Sequence, residues 1–180
     1  MNFCFRFPLV ICLCFVHLWA MHADDPALSS RQPVHTQPGQ RLARGVCRYL
    51  RTLDVTCLEE MVPTRGLRVD VMGLGPKGEV WVVECKSSRA DFTSDSKWQG
   101  YLPWCDRYFF AVDQAFPVEI LPEETGLIIA DGYGAEIIRM PDEVKLPAAR
   151  RKALHLSFAR QAALRLQSYR DPGVAAVFGG

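Results

Sequence analysis

The segment VWVVECKSS, Val80 to Ser88, constrains this chain more than any other. Four apolar residues in succession suit a strand in a buried core, and Glu84 and Lys86 follow two residues apart. A strand alternates its faces with period two, so the two opposite charges project from one face, at the edge of that core. A lone Glu-x-Lys triplet is most often a surface ion pair. Charges that close a buried run instead need something to hold.

The neighbouring pattern gives that strand its setting. Leu42, Val46, Tyr49, Leu50 and Leu53 fall at helical spacing between Pro38 and Leu53, a stripe fit to pack on a sheet. Strands are expected at Val55 to Val62, Leu67 to Met72 and Glu79 to Lys86, with the Gly- and Pro-bearing turns PTRG and GLGPKG between them. SSRADFTSDSKWQGYLPW reads as a second helix stopped near Pro103, with Ser87 and Ser88 as capping residues. Strands follow at Arg107 to Val112, Gly126 to Ala130 and Ala135 to Met140, the last two joined by DGYG as a hairpin. A long helix from Pro147 to Tyr169 places Leu154, Phe158, Ala162 and Leu166 at successive fourth positions. The whole is an α/β chain of 180 residues, enough for one domain with a sizeable core.

Two turns set the register of the carboxylates. A second turn centred near Lys77 puts Asp70 across from Glu84, and a first centred near Arg65 puts Glu60 across from Asp70. Three carboxylates in a row would repel one another unless they take up protons or recruit a cation. Oxygen ligands without His or Cys side chains select a hard ion, Mg²⁺ or Mn²⁺, which keeps waters for a phosphate to displace. Lys86 on the same face could orient or activate one such water and offset charge on a phosphorane.

Other classes of chemistry are excluded or subordinate. The chain has seven cysteines but no CxxC, so structural zinc is not expected, and Cys47, Cys57, Cys85 and Cys105 read as buried, reduced thiols of a cytosolic protein. Only His155 lies inside the expected fold, so paired-histidine chemistry is excluded and His155 itself reads as packing or surface. Net charge is only +1, yet Val144 to Arg170 holds seven bases, Lys145, Arg150, Arg151, Lys152, Arg160, Arg165 and Arg170, and no acid, a run that attracts polyanions. Arg41, Arg44, Arg48 and Arg51 line the polar face of the first helix, either as a solvated surface or as a phosphate-facing stripe. Lys97, with Trp98 and Tyr101, could meet nucleic acid, though the two rings read as core; Trp104 and Cys105 read as structural.

Residues 1–20 read as a leader, either a misassigned extension before Met21 or a signal-like segment. Residues 21–37 read as a flexible tail, 38–170 as the domain and 171–180 as a C-terminal tail. A cytoplasmic protein without stable membrane association is expected; a genuine signal peptide would mean export.

Asp70 and the Glu84-Cys85-Lys86 triplet, in a helix, three strands, helix, strand order, resemble the PD-(D/E)xK nuclease superfamily. More narrowly, RGVCRYL, RVD, GEVWVVECKSSRADFTSDSKWQGYLPWCDRYFFAV, ILPEETGLIIADGYGAEIIR and ARRKAL resemble the MmcB family of bacterial DNA repair proteins, over about residues 40–170. The resemblance implies a restriction-endonuclease-like core, a mixed sheet flanked by helices, acting on DNA that is branched or damaged. It implies Asp70, Glu84 and the Cys85 carbonyl as metal ligands for Mg²⁺ or Mn²⁺, Lys86 as the catalytic lysine, and Glu60 as an additional acid. The first helix offers Gln40 where the superfamily often has a glutamate, and Val69 stands where its name would put proline. Two functions fit: metal-dependent phosphodiester hydrolysis, or DNA binding in repair without turnover.

Overall fold

A computed structural model of the protein describes residues 37–95 and 97–172. The leader, most of the N-terminal tail and the chain after Pro172 lie outside the described residues. The order is α1 (Pro38–Thr52), β1 (Thr56–Thr64), β2 (Leu67–Leu74), β3 (Val80–Lys86) and α2 (Arg89–Ser94), then a 3-10 helix (Trp98–Trp104) and β4 (Arg107–Val112). A short 3-10 turn (Val118–Ile120), β5 (Gly126–Ala130), β6 (Ala135–Arg139) and α3 (Ala148–Arg170) complete it.

The strands form one six-stranded sheet in sequential order. β3, β4 and β5 run parallel, while β1, β2 and β6 pair antiparallel to their neighbours. Every residue of β3 is buried, because the strand is internal and covered on both faces. Period-two alternation divides its side chains between two cores. Trp81, Val83 and Cys85 meet α1 through Leu42, Val46 and Leu50, with Phe109 and Ile128 beside them. Val80 and Val82 meet the other layer, where Trp98, Tyr108, Phe110 and Leu154 pack. The mixed sheet, its covering helices and the long C-terminal helix are consistent with a restriction-endonuclease-like core.

α1 lies close on the sheet because Gly45 has no side chain: a Cβ there would fall 2.0 Å from the Asp131 carbonyl oxygen in the β5–β6 turn. The β2–β3 turn needs Gly78 at a φ of 82°. In α1, Gln37 and Gln40 cap the first turn reciprocally and Pro38 sits where no intrahelical donor is lost.

The structure departs from the sequence pattern in the second helix and in the last. The expected single second helix is broken: α2 ends at Ser94, Asp95 has an extended backbone (φ −95°, ψ 95°), and the chain resumes as a 3-10 helix that contains Pro103. The cause is tertiary, since both Asp95 carboxylate oxygens have partners outside α2, Lys86 and the Lys97 N–H. In α3, Leu154 is buried, but Leu166 is 58% exposed, so the apolar stripe seats only the first half of the helix. Beyond Phe158 polar contacts replace it. The Gln161 side chain accepts from the Val62 N–H and donates to the Val62 carbonyl, and Arg165 donates to the Glu59 and Glu60 carbonyls. These bonds occupy backbone groups on the open edge of β1, which would otherwise be free to pair with another chain.

Candidate active site where strands β2 and β3 part

The β2–β3 ladder runs from Leu74↔Val80 to Val71↔Val83, about a turn centred near Lys77 as the sequence implies. One rung further would pair Asp70 with Glu84. The ladder stops short of that rung, and the Cys85 N–H donates instead to Asp70 Oδ2 at 2.8 Å. A carboxylate thus stands where a strand carbonyl would be, in the opening between the two strands. Because N–H and C=O of one strand residue point to the same side, the Cys85 carbonyl faces that opening too.

The β1–β2 ladder, through Glu59↔Val71 and Met61↔Val69, is centred near Arg65, again as expected. Glu60, between those rungs, has a φ of 49°, in the left-handed region that a glutamate rarely adopts. It drops out of the ladder opposite Asp70. Among the described residues no group of three or more His, Cys, Asp or Glu side chains stands close enough to hold a metal ion. The row of three carboxylates expected from the sequence is therefore not assembled among the described residues, where neither the Glu60–Asp70 nor the Asp70–Glu84 rung forms.

Glu84 and Lys86 project from one face of β3 and both are buried. Lys86 Nζ lies 3.6 Å from Glu84 Oε1 and 2.6 Å from Asp95 Oδ2. Burial first and the Asp70 charge second push the Glu84 carboxyl up to about 8, with Lys86 only partly offsetting them. Burial also raises Asp70, against the Cys85 N–H and the Lys86 and Arg68 charges. Burial alone would lower Lys86, but the hydrogen bond to Asp95 and the Glu84 charge hold it above the usual lysine value. Asp95 is lowered: burial opposes its charge, and the bonds from Lys86 and the Lys97 N–H win.

Of the buried side-chain atoms without a hydrogen-bond partner among the described residues, Trp81 Nε1 and Tyr108 Oη belong to neutral groups and the third to an acid. Glu84 Oε2 is buried with no hydrogen-bond partner, which is costly for a carboxylate. A divalent cation suits it, because the donor set here, Glu84, Asp70 and the Cys85 carbonyl, is all oxygen. Asp70, Cys85 and Glu60 line an open cleft of about 330 Å³ with Gln40 of α1, Glu59, Arg68, Ser87 and Asp91. Glu84 and Lys86 are not among its walls. Gln40 thus stands at the cleft, on the helix where the superfamily resemblance implies a glutamate.

Nearby side chains take structural duties. Ser88 caps α2 by accepting from the Asp91 N–H, and Asp91 accepts from the Ser87 N–H and hydroxyl. Trp98 is buried and Tyr101 half-buried against Tyr108. Arg41, Arg44, Arg48 and Arg51 are all exposed on α1, as is Lys97. Arg48 reaches the Gly132 and Tyr133 carbonyls at 3.4 Å. The basic run is partly structural as well: Arg151 pairs with Asp106, Arg150 donates to the Pro103 carbonyl and sits 5.0 Å over the Trp104 ring, and Arg165 caps β1. His155 Nε2 contacts the Gly78 carbonyl at 2.9 Å. Sequence reasoning missed Asp95. Its signal lies in the folded contact, since its partner Lys86 is nine positions back on β3.

The family model described as "DNA repair protein MmcB-like" matches residues 23–173. The chain belongs to that family. A solved structure of SPO1766, a protein of unknown function from Silicibacter pomeroyi, is 68% identical to this MmcB-like protein, with a TM-score of 0.76. The match covers 77% of this chain and 95% of that one. No curated protein matches the chain. Among the described residues, no helix of the MmcB-like chain is long and apolar enough to cross a membrane.

Proposed function

We propose that this MmcB-like protein hydrolyses DNA phosphodiester bonds during repair, with Mg²⁺ or Mn²⁺ as cofactor, and that it is a PD-(D/E)xK-type nuclease. The observation that carries the reading is the unpartnered, buried Glu84 oxygen on the strand bonded to Asp70, in the opening between β2 and β3. Asp70, Glu84 and the Cys85 carbonyl would hold the cation, which supplies Lewis acidity and an acidified water. The Lys86 ammonium offsets negative charge that builds on the phosphorus oxygens. The exposed arginines of α1, with Lys97, hold the DNA backbone without reading sequence. Branched or damaged DNA is the proposed substrate. The four cysteines of the described domain are free thiols, which fits a reducing, cytoplasmic compartment.

The test is a panel of flapped, branched and nicked DNAs with Mg²⁺. Cleavage is expected, and its loss in Asp70→Ala and Lys86→Ala assigns it to this site; cleavage that survives both variants refutes the assignment. A second reading, DNA binding without turnover, draws on the neutralisation of Lys86 by Asp95 and on the absence of a three-acid cluster among the described residues. Salt-sensitive binding with no cleavage of any member of the panel would select it.

A further inference from the structure

We infer that Asp95 is a positioning residue for Lys86, holding its ammonium at one place beside Glu84. The functional consequence rests on the hydrolysis reading above; the placement does not. Lys86 carries a long, flexible side chain with several rotatable bonds, so a fixed position needs a second anchor besides its strand. Asp95 Oδ2 supplies it at 2.6 Å, a full ångström closer than Glu84 Oε1 at 3.6 Å. Asp95 is itself pinned, because its Oδ1 accepts from the Lys97 N–H at 2.9 Å.

The local fold is arranged around this contact. α2 stops one residue before Asp95, whose extended backbone lies between α2 and the 3-10 helix. Trp98, one residue past Lys97, is buried against Tyr108 and Phe110, which anchors the far side of the break. The ammonium is therefore clamped between a strand and a packed helical segment. The side chains of Lys86 and Asp95 are 6% and 18% exposed, so water competes weakly for the pair.

Displacing a catalytic charge by about 1 Å can cost about a hundredfold in rate. In the full chain, Asp95→Ala is expected to lower kcat on the cleaved DNA by about that factor while leaving KM within about twofold, and Asp95→Glu to restore part of it. Asp95→Asn, which keeps the acceptor for Lys97, guards against a variant that fails to fold. A rise in kcat in Asp95→Asn, or no change, overturns the inference. An independent readout needs no turnover: the ¹⁵Nζ–H signal of Lys86, protected by the ion pair in the wild-type protein, is expected to vanish in Asp95→Asn. Persistence of that signal refutes the placement even if the DNA is cut. Its loss in a protein that cleaves nothing keeps the placement and defeats only the hydrolysis reading.

Discussion

Two buried acid–base clusters sit in this sheet, and they are finished to different degrees. Asp106, before β4, has a fully buried carboxylate with both oxygens committed. Oδ2 accepts from the Val80 N–H and Arg151, and Oδ1 accepts from the Leu146 N–H and Arg151. Burial alone would raise it, but these bonds hold its carboxyl below the usual range. Glu84 is also buried and also has a cation beside it, yet it keeps one oxygen unpartnered and titrates near 8. A buried charge whose hydrogen bonds are complete can tie elements together, here β3, β4 and the start of α3. A buried acid left with an unpartnered oxygen costs stability and marks a candidate functional site.

The largest effect comes from breaking the finished cluster. Arg151→Ala strands the Asp106 charge and is expected to cost about 3–5 kcal/mol in denaturant unfolding, while any cleavage by the remaining folded protein persists. The mirror experiment is Lys86→Ala, expected to lower cleavage by about 10²–10³-fold. A change in cleavage with Arg151→Ala as large as with Lys86→Ala, measured on folded protein, would erase the distinction between the two clusters.

Glu84→Gln sharpens the contrast, because it removes an unmatched charge. Without divalent ions at pH 8 it is expected to stabilise the fold by about 1–2 kcal/mol, read from chemical unfolding, while abolishing cleavage. The pH dependence separates the clusters further. Since the folded Glu84 binds its proton up to about 8 and the unfolded chain releases it near 4.5, its contribution is intact below 4.5 and is lost as pH rises towards 8. Asp106 behaves oppositely, contributing above the ordinary carboxylate range and losing that contribution as pH falls through its depressed value. Thermal unfolding should therefore show Mg²⁺ raising Tm more at pH 8 than at pH 5, an excess that Glu84→Gln removes. The smallest effect belongs to the surface. Arg44→Ala and Arg51→Ala should each weaken DNA binding and lower the salt slope by about one, measured by fluorescence anisotropy across a salt series.

Much of this was written locally in the chain. The turn residues about Arg65 and Lys77 set the ladder centres, which are the ones observed, although the rungs that would pair Glu60 with Asp70 and Asp70 with Glu84 do not form. α1 follows directly from apolar periodicity, and β3, β4 and β5 from short continuous apolar runs. What was not legible depends on contacts distant in sequence or on unusual backbone. The Asp106–Arg151 pair spans 45 positions, so Arg151 read only as one base in a polyanion-attracting run. Asp95 ends a helix that local propensity would continue, because its carboxylate is held by Lys86 of β3. The left-handed turn at Glu60 has no glycine to announce it.

The central claim is that Glu84 and Asp70 are completed by a divalent cation. Calorimetric titration of the full chain with Mn²⁺ at neutral pH tests it directly. Saturable uptake at one site, abolished in both Glu84→Gln and Asp70→Asn, is the result predicted here. No uptake at millimolar ion, or uptake that both variants retain, would contradict it.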